Sequence, residues 1–171
     1  SLPERSPLSG YVNNGLGNVF ISTNGIIIDE GDGIYQYSND IRKKIIQVAT
    51  KDLLSYSQFS ESSEYLSFFN NQAEHSNEGI KNITLYNFID NISSINVVKP
   101  AKSTYSLSTI KLSGHSLFVG GSYYLQDGNA DVRNIGMYDL REKKWYDLAG
   151  GVCGPVYDIT EMNGSIYVGG E

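Results

Sequence analysis

The sequence predicts an all-β chain assembled from repeated four-stranded units. Its 171 residues include 18 Gly, 15 Asn, 21 Ser and 13 Tyr but only 5 Ala. Tyr suits the half-buried face of a strand, and Gly, Asn and Ser build turns, whereas Ala leads the helix formers. Short apolar runs alternate with turn residues throughout, and the pattern recurs about every 50 residues. With 40% apolar and 19% charged residues, neither a disordered segment nor a coiled coil fits. The length suffices for one domain with a real core.

Taken in chain order, the first element is a hairpin, Val19-Phe20-Ile21-Ser22-Thr23-Asn24-Gly25-Ile26-Ile27-Ile28, with an Asn-Gly turn signal. An aromatic strand follows, Gly33-Ile34-Tyr35-Gln36-Tyr37. A second hairpin runs from Leu53-Leu54-Ser55-Tyr56-Ser57-Gln58-Phe59 through Ser62-Ser63 to Tyr65-Leu66-Ser67-Phe68-Phe69. Its aromatic strand is Thr84-Leu85-Tyr86-Asn87-Phe88. The third hairpin joins Thr109-Ile110-Lys111-Leu112-Ser113 to Leu117-Phe118-Val119-Gly120-Gly121, and Gly136-Met137-Tyr138-Asp139-Leu140 is its aromatic strand. The fourth, Asp158-Ile159-Thr160-Glu161-Met162 to Ile166-Tyr167-Val168-Gly169-Gly170, turns on Asn163-Gly164 and matches the third at an offset of 49. The leading tyrosines fall at 35, 86 and 138, so the repeat units span roughly 19–52, 53–103, 104–152 and a partial 153–171, within one domain over 1–171.

A period near 50 with four strands per unit is the pattern of a kelch-type β-propeller blade. The last full copy carries a glycine pair, Gly120-Gly121, then Tyr138, then Trp145, and in this it resembles kelch-like blades. Glycines permit close backbone approach near an inner strand, and aromatics fill the space between twisted sheets. At the second unit Phe69-Asn70 stands in place of the glycine pair, and no Trp follows Tyr86. About three and a half units are present, so the sequence predicts a fragment of a larger propeller with an open sheet face, prone to self-association through unpaired edges.

Charge narrows the function classes. The net charge is −6, and Arg42-Lys43-Lys44 and Arg141-Glu142-Lys143-Lys144 sit beside turn signals as solvated hairpin ends, so nucleic acid is not the expected partner. No apolar stretch approaches the ~20 residues of a membrane helix. The start, Ser1-Leu2-Pro3-Glu4-Arg5, lacks signal-peptide character and suggests a trimmed or mature terminus. The single cysteine, Cys153, cannot form an internal disulfide; its place before a strand suggests a small buried residue, with no neighbouring His or Lys to activate a thiol.

No residue pattern supports catalysis or a cofactor. Galactose oxidase shares the kelch-like architecture, but that family's copper site uses two histidines, two tyrosines and a cysteine cross-linked to one of them. Here His75 and His115 lie on separate turns, and the nearness of Cys153 to Tyr157 matches in residue type only. There is no Gly-x-Ser-x-Gly elbow for a hydrolase. Asp29-Glu30-Gly31-Asp32-Gly33 reads as a tight turn. Asp127-Gly128-Asn129-Ala130-Asp131 begins like a calcium loop, yet Val132 stands where that loop needs glycine and Tyr138 where it needs its closing glutamate. The polar connector from Gln72 to Lys81 is the best loop for binding. Of three N-glycosylation triplets, those at Asn82 and Asn91 flank a strand and are expected to be exposed, while Asn163 serves a turn.

Residues 104–171 resemble the repeats of the fungal bipolar bud-site marker, through Asn134-Ile135-Gly136-Met137-Tyr138-Asp139-Leu140, Lys144-Trp145-Tyr146-Asp147-Leu148, Gly154-Pro155-Val156-Tyr157-Asp158-Ile159 and Gly164-Ser165-Ile166-Tyr167-Val168-Gly169-Gly170. Members of that family are cortical membrane glycoproteins with a kelch-like ectodomain and one membrane span. The resemblance implies a non-catalytic recognition scaffold at the extracellular side of the plasma membrane, with protein partners at the cell cortex or wall and a role in bud-site selection and polarised growth. It implies that any signal peptide and membrane span lie outside these residues. A cytoplasmic kelch-type adaptor, a secreted oxidase-like or carbohydrate-active propeller, and a purely structural repeat module remain the alternatives.

Overall fold

The computed structural model describes residues 19–30, 32–47, 56–70, 82–95 and 106–171. Among these are 14 strands and no helix. The chain divides into two compact units, Ser1–Ser55 and Tyr56–Glu171. The first holds an antiparallel meander of β1 (Val19–Ser22), β2 (Gly25–Asp29), β3 (Gly33–Ser38) and β4 (Ile41–Gln47). The second holds two further four-stranded meanders and a hairpin. These are β5 (Tyr56–Glu61), β6 (Tyr65–Asn70), β7 (Asn82–Asn87) and β8 (Ile92–Ile95); β9 (Ser106–Ser113), β10 (Ser116–Asp127), β11 (Ala130–Asp139) and β12 (Lys144–Asp147); and β13 (Val156–Met162) with β14 (Ser165–Gly170).

The repeat extends to the hydrogen-bond register. In β9–β10, Leu112 faces Leu117 and Ile110 faces Val119; in β13–β14, Glu161 faces Ile166 and Ile159 faces Val168. Every pair is displaced by the same 49 residues seen in the sequence. A bulge recurs at one place in three hairpins, where the register steps from Gln58 to Tyr56, from Thr109 to Leu107 and from Asp158 to Val156. Opposite it stand Phe69-Asn70, Gly120-Gly121 and Gly169-Gly170. A bulge adds one residue to one strand, bends it and raises its twist, so the recurring bulge bends these three hairpins at the same place.

The third strands align in the same way. Tyr35, Tyr86 and Tyr138 each face an aliphatic residue of the second strand, namely Ile28, Leu66 and Leu117. Their partners on the fourth strand differ: Lys44, Ser93 and Trp145. Tyr35 and Tyr86 are buried, and Tyr138 is half-buried.

The first and fourth hairpins differ in how their Asn-Gly pairs are used. Asn163 and Gly164 both take positive φ, 54° and 76°, which suits the two central positions of a type I′ hairpin turn. The first hairpin differs from the expected Asn24-Gly25 turn. Ser22 pairs with Gly25, so Thr23 and Asn24 are the loop residues, and Asn24 N–H donates to Ser22 Oγ at 2.9 Å. Gly25 instead opens β2 at φ 121°, where a Cβ would lie 2.2 Å from the Tyr37 carbonyl oxygen. Close approach of β3 thus displaces the turn by one residue.

The core of the second unit lies between its sheets. Ile83 and Leu85 of β7 pack with Leu107, Ile110 and Leu112 of β9, Leu117 and Val119 of β10, Val132 of β11 and Trp145 of β12. On the opposite face of the β9–β12 sheet, Phe118 and Ile135 pack with Val156 and Ile159 of β13. The first strands β9 and β13 therefore each nest against the preceding sheet. Within the first unit, Ile27, Ile28, Ile34, Tyr35, Ile45 and Ile46 are buried.

Cys153 departs from expectation: it is exposed, not buried. The strand begins only at Val156, and Gly150 and Gly151, at φ 84° and 79°, carry the preceding loop outward. Leu53, Leu54, His75, the Gln72–Lys81 connector and Gly31 lie outside the described residues.

Candidate functional site

The glycine pair sits where two backbones and a neighbouring sheet converge. A Cβ on Gly120 would lie 2.6 Å from Val156 Cγ1, 2.8 Å from Thr109 Cγ2 and 3.0 Å from Ile159 Cδ1. One on Gly121 would lie 2.1 Å from the Ser106 carbonyl oxygen. Gly120 thus admits the next hairpin, and Gly121 admits the bulged backbone of β9. Gly136 has a related role, since a Cβ there would come within 3.2 Å of the Trp145 ring. Trp145 is only 6% exposed, and its ring lies 5.4 Å from that of Tyr138, centroid to centroid, at 60°. Its amide donates to Asp127 Oδ2 at 3.2 Å, which anchors β12 to the β10–β11 turn. Gly120, Tyr138 and Trp145 thus shape the seams between sheets, and Gly121 shapes the pairing of β9 with β10.

Two polar contacts span the sheets of the second unit. Leu112 N–H donates to Ser60 Oγ at 2.8 Å, linking residues 52 apart, and both groups are buried. At the hairpin ends, His115 Nε2 lies 3.8 Å from Glu64 Oε1, and the His115 ring meets Tyr65 edge-on at 6.0 Å. His115 therefore fastens two turns.

The acidic turn of the first unit is a scaffold for aromatic and basic side chains. Tyr35 Oη donates to Asp32 Oδ2 at 2.9 Å, and Lys44 Nζ donates to the same oxygen at 2.7 Å. Tyr37 Oη donates to Glu30 Oε1, and Arg42 Nη2 lies 2.5 Å from Glu30 Oε2. The Arg42 guanidinium also stacks 3.8 Å above the centre of the Tyr35 ring. The Lys44 hydrogen bond holds the Asp32 carboxyl below its usual range, and burial followed by Glu30 pushes the Tyr37 hydroxyl up. The Glu30 hydrogen bond raises Arg42 further above its ordinary value. Arg42 and Lys44 thus carry structural pairings along β4 rather than forming a loose hairpin end.

The other expected surface features are placed plainly. Asn91 is exposed in the β7–β8 turn at φ 55°, and its Oδ1 accepts a hydrogen bond from Tyr86 Oη at 2.9 Å. Asn82 opens β7 opposite Asn70. Asp127 and Ala130 close a two-residue turn around Gly128-Asn129, while Asp131 pairs with Arg133 at 3.1 Å. The carboxylates of that segment are thereby committed to the hairpin. Among the described residues, no three His, Cys, Asp or Glu side chains gather as a metal site, and no helix is long and apolar enough to cross a membrane.

The features that sequence reasoning did not reach are the repeated bulge, the Ser60–Leu112 link and the Glu30–Tyr37–Arg42 cluster. The 52-residue spacing of Ser60 and Leu112 was a usable signal for the second. Compared with known proteins, the chain matches no protein-family model and no curated sequence.

Proposed function

We propose that the chain is a non-catalytic recognition scaffold of kelch-like propeller blades, belonging to the ectodomain of a fungal cell-cortex landmark glycoprotein for bud-site selection and polarised growth. One observation carries the architectural part. The first strands of successive sheets nest against one another, with Leu107 and Ile110 on one seam and Val156 and Ile159 on the next. Blades around a propeller axis stack in that manner. The likeness of residues 104–171 to the bud-site marker repeats supports the cellular part, as does the exposed position of Asn91 in a glycosylation triplet. Protein partners would meet such a scaffold on its loops.

A specific observation favours a second reading, a cytoplasmic kelch-type adaptor. Cys153 is an exposed free thiol, which suits a reducing compartment better than an oxidising one. One experiment separates the two. The parent protein, tagged and expressed in its own cells, is followed by microscopy, by surface labelling and by endoglycosidase digestion. Cortical signal at division sites, accessible from outside, with a mobility shift lost in Asn82→Gln/Asn91→Gln, is the expected result. A diffuse internal signal with no glycan would overturn the ectodomain reading in favour of the adaptor.

A further inference from the structure

The β9–β10 and β13–β14 turns have the same shape and carry different residues. Each joins its strands through two residues, Gly114-His115 in one and Asn163-Gly164 in the other. The first of the two stands at φ 55° in Gly114 and at 54° in Asn163. A left-handed backbone is what this position demands, and Asn adopts it more readily than other residues with a side chain. The turn is thus built from the Asn163 backbone and leaves the side chain to solvent.

The surroundings agree. Asn163, Gly164 and Ser165 are all exposed. The same position is open where a hairpin is packed on both faces: Gly114 is exposed, and a Cβ there would meet nothing within 4 Å. Asn91 stands in its turn at a similar φ of 55°, but its Oδ1 is held by the Tyr86 hydroxyl. Asn163-Gly164-Ser165 is also an N-glycosylation triplet. A glycan is bulky and needs an unobstructed surface position, which the tip of this hairpin supplies.

We propose that Asn163 is N-glycosylated, with the hairpin turn holding the sugar out into solvent. The inference rests on the ectodomain reading above. In the step, Asn163 Nδ2 forms a bond to the anomeric carbon of an oligosaccharide carried on a polyprenyl diphosphate. The bond from that carbon to the diphosphate oxygen breaks. The lipid diphosphate leaves with the electron pair, Nδ2 gives up one proton, and nothing is oxidised or reduced. The backbone of the turn is unchanged by the substitution on Nδ2.

Glycopeptide mapping tests this on the tagged parent protein purified from its own cells. Enzymatic release of N-glycans in heavy-oxygen water leaves a labelled Asp at each occupied asparagine, which mass spectrometry reads. Label at Asn163 is expected in most molecules. Asn24, in an Asn-Gly pair outside any triplet, reports spontaneous deamidation and should match an untreated sample. Ser165→Ala keeps the Asn163-Gly164 turn and should lose the Asn163 glycan, as should Asn163→Gln. The mobility shift lost in Asn82→Gln/Asn91→Gln is then part of the total, and Ser165→Ala removes a further step. An unlabelled Asn163 in protein reached from outside the cell would overturn this proposal and leave the ectodomain reading standing. Protein that stays inside the cell with no glycan at any triplet would overturn both.

Discussion

The β9–β10 and β13–β14 hairpins are the same object in two surroundings. Their residue pairs, bulge and glycine pair coincide at a constant offset, yet Val119 is fully buried while Val168 is 42% exposed. Local sequence therefore sets hairpin geometry in both, and burial comes from the neighbouring sheet. Stability should follow the neighbour rather than the hairpin.

The largest effect belongs to the seam that β14 lacks. Trp145 belongs to the buried cluster that joins β9 and β10 to Ile83 and Leu85 of β7, so Trp145→Ala should cost about 3–5 kcal/mol in urea unfolding. Next come matched truncations. Leu117→Ala in the buried hairpin should cost about 2–5 kcal/mol, while Ile166→Ala, only partly buried, should cost about 1 kcal/mol. Equal losses would break the comparison.

The glycines sharpen it further. Gly120→Val must displace Val156 and Thr109, an overpacking cost of about 1–3 kcal/mol. Gly169→Val enters open space in extended backbone and should stay within about 0.5 kcal/mol under dilute, monomeric conditions. The smallest effect is one of pH. Backbone N–H groups of Glu142 and Arg141 donate to Asp139 Oδ1 and hold its carboxyl below the usual range. A depressed folded pKa gives stability that is present above the unfolded value, near pH 4, and lost as pH falls through the folded one. An NMR pH titration should find the β11–β12 turn loosening in that acid window, with no such transition at the Asn163-Gly164 turn.

How much of this was legible in the sequence depends on the range of the interaction. The hairpins could be read because alternation and turn residues act over a few positions, and the tyrosines at 35, 86 and 138 mark equivalent register positions. The bulge could not be read, because an unpaired residue leaves no compositional trace in Tyr56-Ser57-Gln58 or Leu107-Ser108-Thr109. Lys44 facing Tyr35 where Trp145 faces Tyr138 shows why the copies look degenerate: a stacked cation and a packed indole meet the same tyrosine position. Cys153 was misread because its exposure depends on where the strand starts, a boundary set by two glycines in positive φ. As for the site, the glycine pair and the aromatics were legible, whereas the Ser60–Leu112 link joins sheets and needs the fold to be seen.

The central claim is that the sheets of Tyr56–Glu171 are stacked through their first strands into one cooperative body. Hydrogen exchange on Trp145→Ala tests it most directly. Protection is expected to fall together, by one common free energy, at buried amides of β7, β9 and β13, including the Leu112 amide held by Ser60. Loss of protection confined to β11 and β12, with β7 and β13 unchanged, would contradict it.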